Sequence, residues 1–158
     1  MRRTIGLTLA LLLLLPLAGW GEGERGRAGS TTVGNMEIVL YVWGPRELVG
    51  PRAHAGPEPG QPVTHHLDVT VFDPLRRLYI PYLNVRATVI DMTTRRESTV
   101  DLEPMIGEWV HYGANISLPH PGRYSIVVNI KPPDITRYKH LADVWSTPAQ
   151  VAFEYTYR

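Results

Sequence analysis

Apolar and polar side chains alternate in several segments of the chain, with the period of two that is typical of β-strands. In residues 63–72 the leucine and valines fall on one face, and His66 and Asp68 fall on the opposite face. The same alternation recurs in residues 83–91, 124–130 and 150–157. After residue 62, no segment keeps a helical period over three turns. The pattern therefore predicts strands rather than helices.

Turn-forming residues separate these segments, as in Pro119-His120-Pro121-Gly122. Roughly seven short strands joined by turns within one domain are typical of two packed antiparallel sheets. We therefore predict an all-β fold, an antiparallel β-sandwich.

The first 21 residues follow a different pattern. Arg2 and Arg3 precede an apolar run over residues 5–18 that includes five consecutive leucines. A membrane span needs about 20 apolar residues, so the run is short for that role. A basic start, a short apolar stretch and small residues after it predict a secretory signal peptide over residues 1–21.

Two further segments are poor in apolar residues. Residues 22–34 are rich in Gly, Ser and Thr and predict a flexible linker, which leaves residues 35–158 as the folded domain. Within that domain, residues 44–62 are rich in Pro and Gly and predict a long exposed loop, which holds His54.

Charge and cysteine content narrow the functional classes. The formal net charge is +1, and it becomes −1 once the two arginines of residues 1–21 are removed. A balanced charge argues against a nucleic-acid-binding protein, which carries a basic surface. The chain has no cysteine, which excludes disulfides and a blue-copper oxidase centre.

The remaining candidate chemistry is metal binding through His66, Asp68, Met105, His111 and His140. Imidazole, thioether and carboxylate are the metal ligands left when thiolates are absent. His66 and Asp68 are two positions apart on a predicted strand, so both side chains leave the same face. Each residue also has a structural explanation: a solvated strand face, a methionine in the core, or a histidine at a turn.

Signatures of catalysis are missing from the sequence. It has no HExxH zinc motif, no GxSxG turn and no phosphate-binding glycine loop. We therefore predict a protein that is not an enzyme and has no small organic substrate.

Seven short motifs occur in an order that resembles a known family. They are Asn35-Met36-Glu37-Ile38, Thr64-His65-His66-Leu67-Asp68, Ile80-Pro81-Tyr82-Leu83, Leu102-Glu103-Pro104-Met105, His111-Tyr112-Gly113-Ala114-Asn115, Pro121-Gly122-Arg123-Tyr124, and a late histidine followed by Trp145. The series is similar to that of the periplasmic iron-transport accessory proteins, which bind copper and iron and act beside high-affinity iron permeases.

The resemblance implies an immunoglobulin-like antiparallel β-sandwich that forms homodimers in the periplasm. It also implies that copper and iron ions bind at His66, Asp68, Met105, His111 and His140, and that the partner is an iron permease of the inner membrane. Two rival functions remain open: a periplasmic copper chaperone or copper-tolerance protein, and a non-metal adhesion or assembly module.

The chain departs from the family pattern at the ligand positions. Asp68 stands where the family has glutamate, so its carboxylate reaches one methylene less far. The segment between Met105 and His111 is one residue shorter. The late segment is shorter as well, so Tyr138 is an alternative to His140 as the last ligand; we prefer His140 because imidazole is the commoner ligand.

Overall fold

Nine strands and one short 3₁₀ helix follow one another in the computed structural model, which describes residues 26–51 and 56–158. The elements are β1 (Arg27–Val33), β2 (Met36–Trp43), β3 (His65–Asp73), β4 (Leu78–Tyr79), β5 (Asn84–Asp91), β6 (Glu97–Ile106), β7 (Val110–Ile116), β8 (Gly122–Lys131), the 3₁₀ helix Lys139–Leu141, and β9 (Ala149–Tyr157).

The strands of this described part pair only antiparallel, in the order β1-β2-β3-β7-β6-β5-β8-β9, with β4 beside the end of β3. Strand β6 belongs to both halves of the fold, because residues 97–102 pair with β5 and residues 103–106 pair with β7. The two outermost strands also approach each other. A Cβ atom at Gly29 of β1 would lie 2.8 Å from the ring of Phe153 in β9. The predicted all-β antiparallel fold is confirmed.

The core lies between the two halves of the sheet and follows the alternation of the sequence. In β3 the buried residues are Leu67, Val69 and Val71, each at most 1% exposed. Strands β5 and β8 contribute Val85, Ala87, Val89, Tyr124, Ile126, Val128 and Ile130. Because β3 turns its aliphatic side chains inward, His66 and Asp68 must leave its outer face.

Two buried tyrosines hold loops to the core by hydrogen bonds. The hydroxyl of Tyr112 donates to the carbonyl of Ile80 at 2.8 Å and accepts from the amide of Leu83 at 2.9 Å. The hydroxyl of Tyr124 donates to the carbonyl of His120, four residues upstream, at 2.7 Å. A tyrosine that bonds back to the preceding corner is a feature of immunoglobulin-type sandwiches. The full immunoglobulin-like arrangement stays a prediction.

The predicted flexible linker over residues 22–34 is wrong from Arg27 onward. Residues Arg27–Val33 form β1, which pairs with β2 from Arg27↔Tyr41 to Val33↔Met36. Thr31, Thr32 and Val33 have β-branched side chains, and the free edge of β2 supplies the hydrogen-bond partners that composition alone does not reveal.

Other predictions fall partly outside the described residues. Residues 1–25, which include the predicted signal peptide, lie outside them, as does His54. The described parts of the predicted loop, residues 44–51 and 56–62, contain no strand or helix. Among the residues that the structure describes, no helix is long and apolar enough to cross a membrane.

Candidate metal centre

Three ligand-type residues meet on the outer face of β3 and β7. His66, Asp68 and His111 each offer one ligand atom, and these atoms lie within 4.8 Å of one another. The strand register brings them together. Asp68 of β3 pairs with Gly113 of β7, and His111 lies two residues before Gly113 on the same strand. Side chains two positions apart share a face, so all three leave the same side of the sheet.

Both imidazoles direct Nε2 at the same carboxylate oxygen. Oδ1 of Asp68 lies 2.9 Å from Nε2 of His66 and 3.1 Å from Nε2 of His111. His66 and His111 are buried, and the side chain of Asp68 is only 14% exposed. The three atoms therefore face one another with little access for water.

The tautomer of His66 follows from its other nitrogen. Nδ1 lies 2.9 Å from Oδ1 of Asn115. That amide is oriented by Arg46, whose backbone amide donates to Oδ1 at 3.2 Å and whose carbonyl accepts from Nδ2 at 2.8 Å. Since Oδ1 only accepts, Nδ1 of His66 must carry the hydrogen. In the neutral ring, Nε2 then presents a lone pair to Asp68.

His111 has the same arrangement. Its Nδ1 lies 3.0 Å from the carbonyl oxygen of Trp109, which only accepts, so Nδ1–H is the donor and Nε2 carries the lone pair. A second hydrogen-bond partner that fixes the tautomer is the usual support of a metal-ligating histidine. Two nitrogen lone pairs and one carboxylate oxygen therefore converge on one point.

Such convergence needs a positive charge between the three atoms. Oδ1 of Asp68 is buried and has no well-aligned hydrogen bond among the described residues, despite its short distances to both Nε2 atoms. These short distances are therefore favourable only when one ring is protonated or a cation lies between the atoms. A proton on one ring stabilises the carboxylate but occupies one of the two Nε2 atoms, whereas a metal cation can bind both Nε2 atoms and the carboxylate oxygen. The residues present fit a metal ion.

The electrostatics of the cluster agree with the geometry. Burial raises the pKa of Asp68, but His111 and His66 outweigh burial and hold that pKa well below its usual range. Burial lowers the pKa of His111, but the Asp68 carboxylate and the Trp109 carbonyl reverse the effect and leave the pKa raised. In the metal-free cluster, the carboxylate is ionised and stabilises the protonated ring of His111.

Two glycines make room for these side chains. A Cβ atom at Gly113 would lie 2.9 Å from Nε2 of His66 and 3.0 Å from Oδ1 of Asp68. A Cβ atom at Gly107 would lie 3.1 Å from Cε1 of His111. Contacts this short are not tolerated without movement, so the absence of a side chain at both positions lets the ligands lean together.

The cluster forms one wall of a cavity of about 460 Å³, which we call the metal cavity. Met105, which pairs with His111 across β6 and β7, also lines it. The rest of the lining is Trp43, Arg46, Glu47, Leu48, Ile106, Gly107, Glu108 and Trp109. The cavity thus combines a thioether with imidazole and carboxylate groups, a mixture that accepts both soft and hard metals.

His140 lies in a different place. It is exposed in the 3₁₀ helix, its ring stacks on Tyr138 at 5.9 Å, and it lines a second cavity with Met36, Asp73 and Trp145. Trp43 and Met36 are at opposite ends of β2, about 23 Å apart for seven residues of strand. Neither His140 nor the alternative Tyr138 reaches the metal cavity of its own chain.

The other described histidines are not part of the cluster. His65 points to the opposite face of β3, where its buried ring packs edge-on against Tyr157 at 4.6 Å. His120 is held by the carbonyl of Pro121 at 2.9 Å and by Asp91 at 3.0 Å, with both ring nitrogens occupied. The candidate ligands predicted from the sequence include neither His65 nor His120, in agreement with these positions.

Some residues of the site were missed from the sequence. Asn115 and Gly113 occur in the motif His111-Tyr112-Gly113-Ala114-Asn115 but were given no role in the site, and Arg46 was predicted only as part of the exposed loop of residues 44–62. The short His111-Tyr112-Gly113-Ala114-Asn115 motif was the available signal, because it alternates two polar positions with a glycine on the ligand-bearing face.

A family model described as Fe2+ transport protein matches residues 75–158, which is more than half of the chain. The chain belongs to the Fe2+ transport protein family. The matched region includes Met105 and His111, whereas His66 and Asp68 precede it.

Curated relatives of this Fe2+ transport family member include a UPF0423 protein of Brucella abortus (strain 2308). The two are 25% identical over 89 residues, which is 50% of this chain and 49% of the relative. UPF0423 proteins of Brucella suis and Brucella melitensis match to the same extent. The chain thus spans about half the length of the curated relatives it matches.

Solved structures resemble the fold over most of its length. A copper-bound variant of FetP from uropathogenic Escherichia coli strain F11 superposes with a TM-score of 0.68 at 25% identity, covering 83% of this chain and 95% of that chain. Copper-reconstituted P19 from Campylobacter jejuni gives a TM-score of 0.66 at 20% identity, covering 83% and 94%. The latter similarity shows the fold alone.

Proposed function

We propose that this protein is an exported copper- and iron-binding protein that supports high-affinity iron uptake through a membrane permease. The observation that carries the proposal is the convergence of three lone pairs, on His66, Asp68 and His111, at one buried point. Neutral rings that keep their Nδ1–H hydrogen bonds leave Oδ1 of Asp68 without a donor, whereas a bound cation satisfies it.

The donor atoms suit copper first. Two imidazole nitrogens and the thioether of Met105 are ligands that copper accepts in both oxidation states. The copper-bound FetP variant gives this assignment support from a family relative. The carboxylates of Asp68, Glu47 and Glu108 supply the oxygen ligands that iron prefers, so one cavity has donors for both metals.

We further propose that His140 completes the site from a second copy of the chain. His140 lies at the far end of β2 from the metal cavity, which is too far for it to bind a metal in its own chain. The metal cavity is open on one side. His140 is exposed on its 3₁₀ helix and is therefore accessible to a second copy of the chain. In a symmetric homodimer the same contact would occur at both metal cavities.

Export rests on the leader pattern of residues 1–21, and the metal-binding domain includes β1 from Arg27 onward. A leader of this kind directs the chain out of the cytoplasm, and we propose the periplasm as its destination. There the protein would bind metal and deliver it to the permease without chemical conversion of an organic substrate. It would therefore act as an accessory protein and not as an enzyme.

A copper chaperone or copper-tolerance protein is the main rival, because the thioether of Met105 favours Cu(I). A strain that lacks the gene separates the two functions. A growth defect under iron limitation, reversed by added iron, supports iron uptake. Sensitivity to copper without such a defect supports the rival.

Metal binding itself is tested by elemental analysis of protein purified without chelators and by calorimetric titration with Cu(II). His66→Ala and His111→Ala should each abolish tight binding. His120→Ala is the matched control, because His120 bonds to Asp91 and Pro121 away from the metal cavity. Unchanged binding in the first two variants would reject the site, and wild-type protein without metal affinity would favour a non-metal adhesion or assembly module.

A further inference from the structure

Three residues form a row across neighbouring strands beside the metal cavity. In the strand register, Trp43 of β2 pairs with His66 of β3, and His66 pairs with Asn115 of β7. Arg46 is only three residues beyond Trp43, yet its backbone bonds to the side chain of Asn115. Residues 44–48, which we call the crossing segment, must therefore pass from β2 over β3 to β7. They cover His66, which is 2% exposed.

The side chain of Asn115 makes three hydrogen bonds, two to the crossing segment and one to His66. Its Oδ1 accepts from the Arg46 amide at 3.2 Å and from Nδ1 of His66 at 2.9 Å, and its Nδ2 donates to the Arg46 carbonyl at 2.8 Å. The same oxygen thus contacts a metal-ligand histidine and the backbone of the crossing segment. If His66 moves, Asn115 Oδ1 moves with it and its hydrogen bond to the Arg46 amide changes, and movement of Arg46 affects His66 in the same way.

The crossing segment has a second attachment on the side of β2. The guanidinium of Arg46 lies 5.4 Å from the ring centre of Trp43, and Trp43 stacks on Tyr41 at 5.8 Å. Glu47 and Leu48 of the segment then line the metal cavity together with His66. The segment is therefore a wall of the cavity, and Arg46 in its middle is held by Asn115 on one side and by Trp43 on the other, both next to His66.

We propose that Asn115 is a positioning residue that couples metal binding at His66 to closure of residues 44–48 over the cavity. The proposal rests on the proposed metal-binding function. The amide fixes the Nδ1–H tautomer, so that the Nε2 lone pair of His66 faces the metal. Bound metal in turn holds the ring and, through Asn115, the crossing segment. Partners of this kind change metal affinity by about 10–100-fold when they are removed.

Two substitutions separate the contacts. Asn115→Ala removes all three hydrogen bonds, whereas Asn115→Asp keeps an acceptor for His66 and for the Arg46 amide but loses the donor to the Arg46 carbonyl. Asn129→Ala is the matched control, because Asn129 is a strand asparagine whose side chain bonds to exposed Gln150 at 2.6 Å, on β8 and β9. The substitutions should be made in the full mature chain.

Three measurements test the coupling. In Asn115→Ala we expect Cu(II) to bind about 10–100-fold more weakly. In the metal-free protein we expect faster hydrogen exchange of the Arg46 amide, faster modification of His66 by diethyl pyrocarbonate, and loss of the Nδ1–H signature in ¹⁵N spectra. In Asn115→Asp the Nδ1–H signature should persist while Arg46 exchange still rises. Copper should slow Arg46 exchange in the wild type and not in Asn115→Ala.

The outcomes distinguish this inference from the proposed function. Wild-type protein that binds no copper rejects the proposed function, and with it the coupling. Wild-type protein that binds copper, with affinity and Arg46 exchange unchanged in a folded Asn115→Ala or Asn115→Asp variant, overturns the coupling alone. Weaker binding with unchanged Arg46 exchange also overturns it, because Asn115 would then act on His66 without the crossing segment.

Discussion

Gly113 lies directly opposite Asp68 in the pairing of β3 with β7. A Cβ atom at Gly113 would contact Oδ1 of Asp68 at 3.0 Å, and the backbone carbonyl of Leu67 at 2.9 Å. The carboxylate of Asp68 thus lies against the space that the Cβ atom of any residue other than glycine would fill at position 113. The approach of Asp68 to both imidazoles therefore depends on Gly113, a residue of β7 that is not itself a ligand.

Gly113→Ala should accordingly damage the site more than the fold. The added methyl group must displace Asp68, His66 or the backbone of Leu67, and overpacking of this kind costs about 1–3 kcal/mol. We expect Cu(II) affinity to fall about tenfold or more, since the ligands lose their alignment. Calorimetric titration and thermal unfolding measure the two effects. Gly29→Ala, where a Cβ atom would lie 2.8 Å from the ring of Phe153 and away from the metal cavity, should lower stability without lowering copper affinity.

Asp68→Asn keeps the shape of the side chain and removes its charge. The carboxylate is the main group that raises the pKa of His111 against burial, so the pKa of His111 should fall in this variant. Titration of the His111 ring by NMR in metal-free protein measures the change. Metal affinity should fall as well. A His111 pKa that stays raised would show that Trp109 alone controls this ring.

The ion pair also predicts how stability depends on pH in the metal-free protein. Because its pKa is raised, His111 stabilises the folded state fully below pH 6.5, and this stabilisation is lost as the pH rises through the raised pKa. Because its pKa is lowered, Asp68 stabilises the folded state above pH 3.8, and this stabilisation is lost as the pH falls through the lowered pKa. The unfolding temperature of the wild type should therefore exceed that of Asp68→Asn by the largest margin between pH 3.8 and 6.5. A difference that grows above pH 6.5 would contradict this assignment.

Met105→Leu tests the thioether without opening a cavity. A swap of similar volume costs less than about 1.5 kcal/mol in stability. Because sulfur is the soft ligand of the site, Cu(I) affinity should fall more than Cu(II) affinity, measured by competition with chelators of known affinity. Equal effects on both oxidation states would place Met105 in the cavity wall and outside the coordination sphere.

Mixing two variants tests whether His140 acts from a second chain. His66→Ala and His140→Ala homodimers should each bind copper weakly. Heterodimers of the two should regain one intact site per dimer, because one cavity then combines a normal His66 with a normal His140. Tyr138→Phe in place of His140→Ala tests the alternative ligand. A monomeric mass with copper bound, or no recovery on mixing, would reject the trans arrangement.

Much of the architecture could be predicted from local pattern. The alternation in residues 63–72 correctly predicted that Leu67 and Val69 face the core and that His66 and Asp68 are on the opposite face, because successive side chains of a strand alternate between its two faces. The prediction failed for β1. Its pairing with β2 is a contact between strands, and a Gly-Ser-Thr-rich composition does not exclude such a contact.

The candidate site divides in the same way. His66 and Asp68 are near in sequence, so their common face was predictable, and Met105 and His111 face each other across a short hairpin of β6 and β7. No spacing reveals that Asn115 and Arg46, 69 residues apart, share two hydrogen bonds. Nor does the sequence show that His140 lies at the far end of β2 from the metal cavity.

The chemistry available to this protein is set by its composition and by short-range periodicity: imidazole, thioether and carboxylate ligands on an antiparallel sheet without cysteine. Tertiary folding decided which of these groups meet. Strand register brings His66, Asp68 and His111 to one point, and a glycine and an asparagine of the neighbouring strand shape that point. Register depends on pairing between strands distant in sequence, and such pairing has no signature in the local pattern of either strand.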